Sequence, residues 1–215
     1  MKVDSVAITA STISRNTAAS TTTGSAEANA EGGGVRTSET TVTNSTIAFN
    51  KVTAASSGSA PSSAAGGGLF SSANSTVIDS TIAGNAASAS GGAASAQGGG
   101  LSVDETSLEA TIVANNTAPT GPDCSGVPTS HGHNLVRKLA GCSFTKLPTD
   151  IVGKDPKLGA LAKNGGPTRT MAIGLASPAR NAIPQAACAV ATDQRGTHRP
   201  QGPQCDIGAY ERKVP

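Results

Sequence analysis

The chain has 215 residues and a formal net charge of +2. Ala, Gly, Ser and Thr fill 112 positions, while Leu, Ile, Val and Phe together fill only 35, with one Tyr and no Trp. Apolar burial contributes roughly 25 cal/mol per Å², so these few large side chains exclude a thick conventional core, and the low net charge argues against a disordered polyelectrolyte.

The chain opens on Met1-Lys2-Val3-Asp4, which lacks the apolar run of a signal peptide. Val6 and Ile8 already belong to a repeat, so a fragment of a longer chain is expected. Gly-Gly-Gly followed by an apolar residue occurs at Gly32–Val35, Gly66–Leu69 and Gly98–Leu101, spaced 34 and 32 residues apart. A second signature alternates with it. Ser11-Thr12-Ile13 precedes Asn16, Ser45-Thr46-Ile47 precedes Asn50, and Ser80-Thr81-Ile82 precedes Asn85. Ala110-Thr111-Ile112 precedes Asn115. A fixed period of this length marks a repeat architecture.

The repeat has no stripe of large apolar residues at helical spacing. Thr- and Val-rich runs such as Thr40–Ile47 read as strand. Val42 and Ile47 lie five apart, which breaks a single alternation and places a bend between two short strands. Parallel stacking of such units gives an all-β fold, a right-handed parallel β-helix of about four coils. Asn16, Asn50, Asn85 and Asn115 fit one turn position, where Asn tolerates left-handed backbone and its amides can stack as a ladder. The Gly triplets fit a corner of close backbone approach. They lack the Lys-Ser/Thr and following helix of a phosphate loop.

Composition changes near Pro119. Residues 1–120 carry a net charge of −4 and residues 121–215 a net of +6, with all four Cys and all three His in the second part. This divides the chain into repeat coils over 1–120 and a C-terminal continuation and cap over 121–215. The basic excess is dispersed, so no nucleic-acid partner is expected. No apolar stretch reaches the length of a membrane span. Cys124, Cys142, Cys188 and Cys205 lack zinc-site spacing. They read as two disulfides in an oxidising compartment, with the local pairing Cys124–Cys142 and Cys188–Cys205 favoured among three connectivities.

The second part also carries Gly121-Pro122-Asp123-Cys124, Gly132-His133-Asn134-Leu135, Asn164-Gly165-Gly166-Pro167-Thr168, Thr192-Asp193-Gln194-Arg195-Gly196 and Cys205-Asp206-Ile207-Gly208-Ala209-Tyr210-Glu211. With the upstream repeats, these resemble the C-terminal region of bacterial secreted β-helix proteins of the choice-of-anchor Q type. The resemblance spans essentially the whole chain. It implies a secreted or cell-surface β-helix and implies no activity.

Candidate chemistry is sparse. His131 and His133 flank Gly132 and have no third ligand in sequence, so no metal or other cofactor is expected. Asp193, Arg195, His198, Arg199, Asp206 and Glu211 form the densest polar cluster, read as a network holding the tail to the coils. Asp79 and Glu109 share the slot three before the repeat Ile, beside Ala10 and Asn44 in the other copies. The expected function is an extracellular structural or adhesive module that contacts a glycan or surface partner, or associates end to end through its N-terminal rung. The alternative is a carbohydrate-active enzyme, a polysaccharide lyase or glycoside hydrolase, on the same scaffold. Thr-rich faces raise ice binding as a third reading, but Thr21-Thr22-Thr23 and Thr41-x-Thr43 show no counterpart in every copy.

Overall fold

The computed structural model describes residues 5–213. The chain winds into an all-β parallel solenoid of about three turns. Each full coil contributes five short strands, one to each of five parallel stacks. The first sheet stacks Ser5–Thr9, Glu39–Thr43, Ser75–Ile78, Thr106–Glu109 and Thr129–Ser130. The second stacks Thr12–Ser14, Thr46–Ala48, Thr81–Ala83, Ile112–Ala114, Leu135–Val136 and Ile151–Val152. The third and fourth close the Ala- and Ser-rich stretch, with Lys51–Ser56 and Ser62–Ala65 as the middle rungs. The fifth follows each Gly triplet, as at Leu69–Ser71, and ends at Cys124–Gly126.

The interior is as thin as the composition requires. Val42, Ile47, Leu69, Val77, Ile82, Leu101, Leu108 and Val113 form a fully buried spine between the first, second and fifth sheets. The third and fourth sheets close on Ala28, Ala30, Ala54, Ala64, Ala87 and Ala96 with Val52. Two sheets can approach closely only over small side chains, which is why this lobe is built from Ala and Ser. The fourth repeat lacks the lobe and makes only single bridges there, at Thr117 and Thr120. Successive rungs accordingly advance by 34, 35, 31, 23 and 16 residues, and the solenoid narrows toward its C-terminal end.

The five-residue spacing of Val42 and Ile47 is a corner. Ala10, Asn44, Asp79 and Ala110 occupy it in successive coils with φ between 45 and 48°. The second corner corrects the sequence reading in two respects. First, the left-handed residue is not the ladder Asn but the one before it: Arg15, Phe49, Gly84 and Asn115. Second, the ladder runs through Asn16, Asn50, Asn85 and Asn116, so Asn115 is not a rung. In each step the backbone N–H and Nδ2 of one Asn donate to Oδ1 of the next, at 2.9 to 3.0 Å. The shift arises because Val113, not Ile112, stacks on Ile82. Ile112 stacks on Thr81 and faces outward. Glu109 therefore leaves the corner column, where Ala110 stands instead.

The two repeated signatures form one device. A Cβ at Gly34, Gly68 or Gly100 would lie within 2.6 to 2.9 Å of the Nδ2 of Asn50, Asn85 or Asn116. The last Gly of each triplet thus leaves space for a ladder amide. Gly121-Pro122-Asp123 is a fourth copy of the triplet, and Asp123 Oδ1 accepts from both N–H and Nδ2 of Asn116. The carboxylate ends the ladder, because it can accept but not pass on a donor. A second ladder runs along the first corner. The backbone N–H groups of Ser11, Ser45, Ser80, Thr111 and Asn134 donate to side-chain oxygens of Ser45, Ser80, Thr111, Asn134 and Asp150. It too ends on a carboxylate.

After Val152 the chain turns back. Leu158–Ala162 and Thr170–Ile173 pair antiparallel and cover Ala48 and Ala83 with Leu161 and Met171. Ile173, Ala179, Ile183 and Ile207 pack against Ile112, Ala114 and Leu135. Disulfides join Cys124 to Cys142 and Cys188 to Cys205. Residues 124–152 continue the solenoid as its last rungs, and the chain after Val152 lies along the flank of the coils, over the outer face of the second sheet.

Candidate functional site

The polar cluster of the tail is brought together and consumed internally. Arg195 pairs with Asp193 at 2.7 Å, and Arg199 pairs with Glu211 at 3.0 Å, with all four side chains buried. Arg195 also lies over the Tyr210 ring at 3.7 Å and donates to the Asn164 carbonyl, so one face of the single Tyr is already covered. Arg199 donates to the Asp206 and Gly208 carbonyls. Asp206 accepts from the N–H groups of Asn181 and Arg212. His198 is exposed outside this network.

Asp79 completes the cluster from the solenoid side, which the sequence reading missed. Its Oδ1 lies 3.8 Å from Arg199, and its Oδ2 is buried without a hydrogen-bond partner. Burial pushes its pKa up to about 7, against the pull of Arg199 and with help from Glu109 and Glu211. Burial likewise raises Asp206, Glu211 and Asp123, and hydrogen bonds to each oppose it. Asp206 and Glu211 accept their bonds within the tail, Asp79 meets the tail at Arg199, and Asp123 ends the Asn ladder.

His131 and His133 lie apart from that cluster. His131 is exposed beside the first sheet, and His133 has φ 56° with a buried Nδ1 lacking a partner. Among the described residues, no group of three or more His, Cys, Asp or Glu side chains is placed to hold a metal ion.

The outward face of the first sheet is the open polar surface. Register aligns Ala7, Thr41, Thr76, Ser107, Thr129 and Thr145 in one column. Thr41 thus has a counterpart on every later rung, which the sequence reading missed because the rungs advance unevenly. The neighbouring column, Thr43, Ile78 and Glu109, does not repeat. Over the hydroxyl column lies a groove of about 820 Å³, lined by Asn74, Thr76, Thr106, Ser107, Val127 and Thr129 with the carboxylates of Asp104 and Glu105. A smaller hollow of about 410 Å³ lies over the tail between Asn164, Arg195, His198 and Lys213.

No family model, no curated protein and no solved structure matches this chain. No helix is long and apolar enough to cross a membrane among the described residues.

Proposed function

We propose that the chain is a secreted or cell-surface β-solenoid module with a structural or adhesive role, of the choice-of-anchor Q type that its C-terminal motifs resemble. One observation carries this reading. The buried charged residues of the tail pair with one another, with Arg199 also reaching Asp79 of the coils, while the first sheet turns an aligned row of hydroxyls outward. Such a face suits contact with a glycan or a polar surface. The two disulfides fit an oxidising, extracellular compartment.

Self-association has support at one end only. Among the described residues, Ser5–Thr9 and Thr12–Ser14 pair on one side, an edge open to a further strand. Both ladders terminate at the other end on Asp123 and Asp150.

The alternative enzyme reading is favoured by Asp104 and Glu105 lying in one groove, since glycoside hydrolysis uses two carboxylates. A glycan array combined with assays for reducing ends and unsaturated products separates the two. Binding without turnover is expected. Release of product from any polysaccharide would overturn the adhesive reading in favour of the enzyme.

A further inference from the structure

We infer that the groove over the first sheet binds a linear, amino-bearing glycan of the glucosamine type. The inference rests on the adhesive reading above and names its partner. Thr76, Ser107 and Thr129 occupy one column on consecutive rungs, so their hydroxyls recur at about the 4.8 Å rung spacing. This periodicity suits a polymer of similar units laid along the solenoid axis, and the column continues to Thr41 and Thr145 beyond the groove. Each hydroxyl both donates and accepts, as a sugar hydroxyl does.

Charge selects among sugars. The lining includes the exposed carboxylates of Asp104 and Glu105 and no Lys, Arg or His. An ammonium group donates to a carboxylate in a charge-assisted bond, whereas a uronate polymer would bring like charges together. Val127, 59% exposed, supplies an apolar patch for the C–H face of a pyranose ring. A basic peptide is the lesser fit. Peptides add to sheets through main-chain bonds at an edge, and this surface presents side chains from the middle of a stack.

The test is calorimetric titration of the whole chain with a glucosamine oligosaccharide, its N-acetylated counterpart, a galacturonate oligosaccharide and oligolysine. The glucosamine oligomer is expected to bind, more weakly at high salt, and about tenfold more tightly than the N-acetylated form. The double variant Asp104→Asn/Glu105→Gln should lose about tenfold in affinity with an unchanged melting temperature. Thr76→Val/Thr129→Val should weaken both sugars alike, because it removes hydroxyls and leaves the charges. Oligolysine binding as tightly as the sugar, or sugar binding indifferent to the carboxylate variant, overturns the inference. Binding of another glycan class that ignores all groove variants overturns it while sparing the adhesive reading. Failure to bind any glycan or surface would sink both.

Discussion

Asn85 is wholly buried, and its amide is used at both ends. Its Oδ1 accepts from Asn50 twice, and its Nδ2 donates to Asn116 Oδ1 and to the Ile47 carbonyl. Asn85→Ala strands the Asn50 N–H and the Ile47 carbonyl in the interior, so a loss of about 2–4 kcal/mol is expected in urea denaturation. Asn16 is exposed at the first rung, and Asn16→Ala should lose less than about 1 kcal/mol. Equal losses would mean that the ladder contributes nothing specific. Asp79 gives a pH dependence of definite sign. Its carboxyl is raised from 3.8 to about 7, so the folded chain holds that proton more tightly than the unfolded chain. The group's stabilisation is complete below its unfolded pKa and is lost as pH rises through the interval to about 7. Asp123, Asp206 and Glu211 shift the same way. The protein should therefore be more stable near about pH 5 than near about pH 8. Asp79→Asn should gain on the order of a few kcal/mol at the higher pH and flatten the profile. Asn is compatible with this corner, because Asn44 holds the same position with φ 48°. A variant that keeps the full slope would assign the dependence to the other carboxylates.

Within a coil, the Gly triplet and the Asn corner determine each other. At Gly68 a Cβ would lie 2.6 Å from the Gly100 carbonyl oxygen and 2.9 Å from Asn85 Nδ2. Neither neighbour can yield without breaking a rung, so Gly68→Ala should cost about 3 kcal/mol or more. Gly153 is the control. It has φ 75° and nothing within 4 Å of its Cβ position, so Gly153→Ala pays only backbone strain of about 1 kcal/mol. Thermal melts of the two variants should separate clearly, and similar melts would remove close approach as the reason for the triplet. These triplets made the coils legible in the sequence, because a corner that excludes Cβ leaves a mark on composition. Register was less legible. Ile112 invites alignment with Ile82, although the five-residue step from Leu108 to Val113 and the repeated Ala at 48, 83 and 114 favour the true pairing. The hydroxyl column was hidden for a related reason, since Thr76, Ser107 and Thr129 align only once each rung's length is known. The match of tail to flank left no periodic trace at all. Gln194 donates to Thr12 Oγ1, 182 residues away.

For the whole molecule, the tail is a strap that decides which face stays open. Gln194 ties the first two coils by bonding Thr12 and Thr46. The Ala209 N–H donates to Thr81 Oγ1, and the Gly208 N–H to the Ala110 carbonyl, so the next two coils are held as well. The strap covers the outward Ala48, Ala83 and Ile112 of the second sheet and leaves the first sheet to solvent. Its own order depends on Cys188–Cys205, which closes 17 residues around the Asp193–Arg199 segment. A loop of that size is worth about 3 kcal/mol. Cys188→Ser/Cys205→Ser should therefore loosen the strap before the coils. Hydrogen exchange at the Gln194 and Ala209 amides is expected to speed up by about a hundredfold, while amides of the buried spine around Val77 and Ile82 change far less. Loss of the Cys124–Cys142 bridge, which ties the fifth sheet to the narrowing end, should show the opposite pattern. Uniform acceleration across strap and spine in both variants would mean that the molecule opens as one unit, and the strap could then not be separated from the solenoid it covers.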